Sequence, residues 1–389
     1  MSRPERGQEG LNLHIYPSTL EGASRLRKIS SSVQRESAFS ETHVVGMRRG
    51  DLPTEEQVAP DVRFIRLAGT KRTGNLGRIL KTLLWQPRVF LTYRRQNVAV
   101  VAAHSVWVLP MCAALASSTG AALVYNPHEL ETETVAMRGL KRWVAQRIER
   151  RLVRKASVVT TVNGSIAQWY ADAYDIPTPI AVTNIPEDDG STTDLRADLG
   201  IPEDALLFVH TGNLAPGRNI PLLLEAFPDR PDRHLVFVGD GPLKGLVTEA
   251  AARQRNIHQV PPVGPFSVVG AMRSADVGVS LMEGDSLSQQ YCSPNKFYES
   301  LCAGVPPLAT KLVELRRVLG PHADRWTVAP EIDALRAWID EITREDIAQF
   351  RATPPVVGSW DDQVAPMVRR YQELALERGN ARARQRVSN

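Results

Sequence analysis

A strand-length apolar run followed by a helix-length amphipathic stretch recurs along this chain, stops, and starts again. In the first half Leu11–Tyr16, His43–Gly46, Val62–Leu67, Val98–Ala103, Ala121–Tyr125 and Val158–Val162 read as strands. Ala23–Glu36, Asn75–Gln96, Pro110–Ser118 and Leu140–Lys155 read as the helices between them, with a break expected at Pro87. The segment Asn184–Ser191, NIPEDDGS, then interrupts the pattern with turn formers and reads as a linker. Beyond it the strands Leu206–Thr211, His234–Val238, Ala275–Leu281 and Pro307–Thr310 alternate with the helices Ile220–Ala226, Lys244–Gln254 and Asn295–Cys302. Parallel strands need long crossovers, and helices supply them, so each half predicts a parallel sheet covered on both faces. The expected fold is α/β, with two Rossmann-like, doubly wound domains at 1–185 and 186–360 and a ligand cleft between them. Residues 361–378 form an amphipathic helix expected to return to the first domain, and 379–389 a flexible polar tail.

Charge separates the same two halves. Residues 1–180 carry a net +10 and the remainder −6, within a total of +4 over 389 residues. Different partners are therefore expected for the two domains. No zinc-finger, RRM-like or basic-zipper pattern accompanies the basic half, so nucleic acid is not an expected partner. A membrane surface or an anionic acceptor suits it better. Between Arg95 and Glu129 there is no Asp, Glu, Lys or Arg, but Pro110 and Gly120 divide the stretch into strand, helix and strand, not one membrane span. The start, MSRPERGQEG, lacks the apolar core of a secretory signal, and Cys112, Cys292 and Cys302 form no C-x-x-C pair. A cytoplasmic protein, in one reading peripheral at the inner membrane face, is the expectation. The sequence sets no oligomeric state.

In open parallel sheets ligands bind beyond the carboxyl ends of the strands, and the candidate residues cluster there. Thr211-Gly212-Asn213-Leu214-Ala215-Pro216-Gly217-Arg218 joins a strand to a helix. Its glycines permit close backbone approach, and Arg218 can offer two parallel donors to phosphate oxygens. Gly239 lies in the G-D-G-P turn after the next strand, and Gly22 in the turn after the first. Ser293-Pro294-Asn295-Lys296 opens a helix, whose free N–H groups attract anions, and Lys296 adds a full charge. One turn on, Glu299 can accept from ribose hydroxyls. In the first half His104 and His128 each end a strand, with Glu129 beside the latter. No D-x-D metal motif, G-x-S-x-G elbow or P-loop is present, so no metal ligand set and no cofactor is expected.

Together these stretches resemble family-4 (GT4-like) retaining glycosyltransferases of GT-B fold, over nearly the whole chain. The series is H-x-Y-P-S at 14–18, V-Y-N-P-H-E at 124–129, V-V-T-T-V-N-G-S-I-A at 158–167 and T-N-I-P at 183–186. It continues with T-G-N-L-x-x-G-R at 211–218, V-G-D-G-P at 238–242, A-D-V-G-V at 275–279 and P-N-K-F-Y-E-S-L-C-A-G-V-P at 294–306. The resemblance implies that His128 contacts the donor sugar, that Arg218 and Lys296 grip the diphosphate, and that Glu299 holds the ribose. Asn213 and Tyr291 stand where the family usually has an arginine and a glutamate. Glu283 and Asp285 are candidate substitutes, and Val263 joins the expected donor contacts.

The implied reaction moves a hexose-type sugar from a UDP- or GDP-sugar to a small-molecule or glycan acceptor, without metal and with retention of configuration. Catalytic roles fall on His128, Arg218 and Lys296. Donor contacts are expected from Gly22, Gly212, Asn213, Gly239, Val263, Ser293, Pro294, Asn295 and Glu299. His104, Glu129, Glu283, Asp285 and Tyr291 are candidates for sugar or acceptor contacts. Two other readings remain open: an epimerase of nucleotide sugars on the same fold, and a non-catalytic nucleotide-sugar binding protein.

Overall fold

Six consecutive small apolar residues, Val98–Ala103, have no polar group to present to water on either face, and all six are buried in the middle of a sheet. In a computed structural model the chain divides into two units, one formed by the residues up to Val182 together with those from Asp361 onward, the other by Thr183–Trp360. The structure describes residues 10–37, 39–68 and 74–388; at 74–83 and 380–388 it describes the backbone alone. The division between units falls three residues before the expected 185/186 boundary.

The first unit contains β1 (Leu11–Ile15), β2 (Thr42–Arg48), β3 (Glu55–Ala59), β4 (Val62–Ala68), β5 (Val98–Ala103), β6 (Ala122–Tyr125), β7 (Val158–Thr161) and β8 (Ile180–Ala181). Among the described residues they form one sheet in the order β3-β4-β2-β1-β5-β6-β7-β8. Every pairing is parallel except β3 with β4. β3, EEQVA, escapes the sequence reading because an edge strand with a wet face shows no apolar run. Strand order reverses at β1 and β5, so the loops after Ile15 and Ala103 open at the switch point where such sheets bind ligands.

The second unit contains β9 (Leu206–Thr211), β10 (Arg233–Val238), β11 (Ile257–Val260), β12 (Val277–Ser280), β13 (Pro307–Thr310) and β14 (Thr327–Val328). Their order is β11-β10-β9-β12-β13-β14, all parallel. Its switch point lies between β9 and β12. The loop that follows Thr211 and the loop that follows Ser280 therefore leave the sheet side by side. Phe208, Leu235, Phe237, Phe297 and Trp326 are among the residues of the main apolar cluster beneath.

Three expectations need correction. The helix Gly74–Tyr93 runs through Pro87 unbroken. Pro87 is exposed while Trp85 and Val89 are buried, so the proline ring lies on the wet side, and the buried face holds the helix together. The last helix, Trp360–Ser388, continues through the segment expected as a tail; Asn389 lies outside the described residues. The basic stretch Leu140–Lys155 is a helix only over Gly139–Leu152, followed by a 3-10 turn.

That helix turns one charged residue inward. Glu149, its single acidic residue, is fully buried and accepts hydrogen bonds from Tyr125 Oη (2.5 Å), Tyr170 Oη (2.6 Å), Tyr174 Oη (2.5 Å) and Thr132 Oγ1 (3.4 Å). Leu140 and Trp143 face solvent, at 75% and 56% exposure. No helix of the described residues is long and apolar enough to cross a membrane.

Candidate active site

In the second unit the loop after β9 and the helix Asn295–Cys302 bring four polar side chains together. Lys296 Nζ lies 2.7 Å from His210 Nε2, and Thr211 Oγ1 donates to Glu299 Oε2 at 2.6 Å. His210 and Thr211 end β9; Lys296 and Glu299, one turn apart, lie on one side of the helix. Pro294 stands in extended conformation just before the first helical residue; Phe297 N–H donates back to Pro294 O at 3.1 Å, while the N–H groups of Asn295 and Lys296 precede any helical carbonyl they could reach. Gly212 and Gly217 have φ of +85° and +86°, which a Cβ would strain. Gly217 N–H donates to Glu283 Oε1 at 3.0 Å, which ties the β9 loop to the one after β12.

Electrostatically the cluster is lopsided. Burial and the nearby Arg218 guanidinium lower Lys296 to about 7, with Glu299 opposing. Burial raises Glu299, against the pull of Thr211 and Lys296. Burial and the two cations hold His210 far below its ordinary value, so it is neutral. Arg218 Nη1 lies 3.0 Å from Met282 Sδ. Among the described residues neither Arg218 nor Lys296 takes part in an ion pair. A buried cation without a partner is costly, and the pair is suited to an anionic ligand such as a diphosphate.

In the first unit, His104 immediately follows β5 and His128 follows β6, and the two rings meet at 3.0 Å, His104 Nδ1 to His128 Nε2. Both line a cavity of about 280 Å³ with Tyr16, Trp107, Glu129, Glu131 and Lys141. Tyr16 lies against the His128 ring, 5.1 Å between centroids, and Lys141 sits over Trp107. Glu131 accepts from Ser105 Oγ (2.7 Å) and Val106 N–H (3.1 Å); burial raises its carboxyl to about 8. The cavity mixes aromatic faces with carboxylates and hydroxyls, a lining suited to a polyhydroxylated ligand.

Other expected residues have quieter surroundings. Gly239 has no room for a Cβ, which would fall 1.9 Å from Gly212 O; its small size serves the packing of one loop on the other. Asn213 is exposed and presses its Oδ1 toward Gly241. Val263 is partly buried against the apolar cluster of Leu207, Val209 and Val238. Asn295 Oδ1 accepts from Asn184 Nδ2 at 3.1 Å. Gly22 has φ of +64° in an open turn, and Asp285 is exposed. Ser293 and Tyr291 are half-buried in the approach to the helix. His210 and Glu131 were missed in the sequence, while His14 and Thr211 stood inside quoted motifs with no role of their own. A polar residue inside an apolar strand, as in L-N-L-H-I and L-L-F-V-H-T, was the available signal for His14 and His210.

Residues 27–185 match a family described as a glycosyl transferase 4-like domain, and residues 191–352 match the glycosyl transferases group 1. With one match on each unit and two parallel-sheet α/β domains carrying them, the chain belongs to the GT4-like glycosyltransferases of GT-B fold. It is 27% identical over 209 residues to a Bacillus subtilis protein named for a glycosyltransferase of teichuronic acid biosynthesis, covering 52% of this chain and 50% of the other. It is 31% identical over 165 residues to the phosphatidyl-myo-inositol mannosyltransferase of Mycobacterium tuberculosis, covering 38% of each. The chain thus spans half or less of the length of these curated relatives. The solved sucrose-phosphate synthase from Thermosynechococcus elongatus shares the fold, with a TM-score of 0.70 at 15% identity, over 98% of this chain and 100% of that one.

Proposed function

We propose that this chain transfers a hexose-type sugar from a UDP- or GDP-sugar to an acceptor, with retention of configuration and without a metal ion. The observation that carries the reading is the pair Arg218 and Lys296, two cations without an ion pair among the described residues, beside a helix start and two glycine turns. As the sugar departs, negative charge grows on the diphosphate. Preorganised donors there stabilise that charge with little reorganisation. Glu299, held by Thr211, takes the ribose hydroxyls. The first unit binds the acceptor, with a glycan, lipid-linked glycan or small hydroxylated molecule as its class. Incubation with a panel of UDP- and GDP-sugars, with and without acceptor and EDTA, tests the reading. The expected result is release of the nucleoside diphosphate with formation of a glycoside, unchanged by EDTA. Epimerised donor in the absence of acceptor favours the epimerase, and binding without turnover favours the binding protein. Activity lost in EDTA and restored by manganese overturns the metal-free mechanism.

We also propose peripheral association with anionic membranes on the cytoplasmic side. Gly139–Leu152 exposes Leu140 and Trp143 among Lys141, Arg142, Arg147, Arg150 and Arg151, and Arg147 lies over the Trp143 ring. The companion stretch Asn75–Gln96 is a poorer surface, since Trp85 and Tyr93 point into the core; the side chains of Arg78 and Lys81 lie outside the described residues. Each basic residue near an anionic surface contributes about 1 kcal/mol, screened by salt. Co-sedimentation with anionic vesicles is expected at low salt, weakening as salt rises and weakened further in Trp143→Ala. Absence of binding at low salt overturns it.

A further inference from the structure

His128 does not stand alone. It ends a continuous file of buried polar groups that begins 89 residues earlier in sequence, at the Phe39 carbonyl. Gln34 Nε2 donates to Phe39 O at 3.0 Å, and Thr42 Oγ1 donates to Gln34 Oε1 at 2.6 Å. Asn12 Nδ2 lies 3.2 Å from Thr42 Oγ1 and 3.0 Å from His14 Nε2. His14 Nδ1 lies 2.8 Å from His104 Nε2, and His104 Nδ1 lies 3.0 Å from His128 Nε2. Asn12, His14, Thr42 and His104 are fully buried.

We propose that Gln34, Thr42, Asn12, His14 and His104 are positioning residues that form a one-way hydrogen-bond relay and fix His128 as its Nδ1–H tautomer. This ring then offers its ligand a hydrogen-bond donor and not a base. The direction follows from proton counting. A backbone carbonyl only accepts, so the Gln34 amide nitrogen must face Phe39, and its oxygen must face Thr42. The single Thr42 proton goes to that oxygen, so Thr42 accepts from Asn12, whose amide nitrogen therefore also faces His14. Each neutral imidazole has one donor and one acceptor. His14 accepts at Nε2 and so donates from Nδ1. His104 does the same, and His128, accepting at Nε2, carries its proton on Nδ1.

A second proton on any of these rings would set two donors against each other. Burial keeps them neutral: it lowers His14 and His128 to about 3, with Arg25 adding to the effect on His128. Burial also lowers His104 far below its ordinary value, with the neighbouring rings and Arg25 acting in the same direction. Because His128 lines the cavity that holds Glu129 and Glu131, the donor it presents suits an oxygen of a hydroxylated ligand. That last step rests on the transferase reading; the tautomer does not.

Nitrogen-15 NMR of the full-length, histidine-labelled protein tests the relay, with His128→Gln used only to assign the resonance. The expected wild-type spectrum shows His128 protonated at Nδ1 and unprotonated at Nε2 from pH 6 to 8. Asn12→Asp replaces the donor with an acceptor of the same size and should reverse the relay, moving the His128 proton to Nε2 and lowering kcat/KM by about tenfold or more. Asn12→Leu, for the case in which the aspartate does not fold, should leave His128 in a mixture of tautomers. A wild-type His128 protonated at Nε2 overturns the proposal, as does an unchanged His128 tautomer in a folded Asn12 variant. The expected tautomer with no sugar transfer from any donor would leave the relay standing and sink the transferase reading.

Discussion

Replacing Lys296 with alanine is expected to slow sugar transfer by about 10²- to 10³-fold, the effect of removing one preorganised donor to a developing oxyanion, about 2–4 kcal/mol. Lys296 is buried at the helix start, against a neutral histidine and near a second cation, and among the described residues no carboxylate forms an ion pair with it. Most of the loss should fall on kcat, because the charge it meets grows as the leaving group departs. Arg218→Ala should show the same pattern. Wild-type turnover in either variant would remove both residues from the mechanism. The same environment gives donor binding a pH dependence with a defined sign. In the free protein Lys296 titrates at about 7; a bound diphosphate favours its charged form and raises that value. Below pH 6 the lysine is already charged and binding takes up no proton. Above pH 7 it is increasingly neutral, so binding takes up a proton and weakens as pH rises, by up to about tenfold per unit. Calorimetry in buffers of different ionisation heat reads the proton directly. Equal proton uptake in the wild type and Lys296→Ala would show that another group is responsible.

The second large effect expected is on stability. Glu149→Ala should destabilise the first unit by about 3–5 kcal/mol, since removing one partner of a buried charged network strands the others. Three tyrosine hydroxyls, from Tyr125, Tyr170 and Tyr174, converge on this one carboxylate inside the fold. Alanine leaves all three without their acceptor and adds a cavity. Glu149→Gln keeps one oxygen and most of the volume, so its loss should be smaller, though its amide hydrogens then oppose a hydroxyl. Urea unfolding followed by tyrosine and tryptophan fluorescence measures both. A loss under about 1 kcal/mol in Glu149→Ala would mean that the hydroxyls find other acceptors.

What local sequence can determine is visible in the elements it matched. Val98–Ala103, Leu206–Thr211, Ile220–Ala226, Asn295–Cys302 and Pro307–Thr310 appear at the residues expected. Continuous apolar runs and short amphipathic stretches carry their instruction within a few neighbours. The same local signal placed Arg218 on a strand-to-helix connection and Lys296 and Glu299 in the first turns of a helix, because glycines mark the one and a helix-opening proline the other. Where the instruction is not local, it was unreadable. The strand Glu55–Ala59 is polar and owes its place to pairing with β4. The helix Gly164–Tyr174 went unassigned, although Asn163 caps it through a bond from Ile166 N–H. Only tertiary structure decided which side chains touch. His14 meets His104 across 90 positions because β1 pairs in parallel with β5. Lys296 meets His210 across 86 because its helix packs on β12, which lies beside β9 in the sheet. A residue's type shows that it can donate, accept or carry charge. Which of these it does depends on burial and on the one or two atoms facing it, and those are set by strand order, a property of the whole chain.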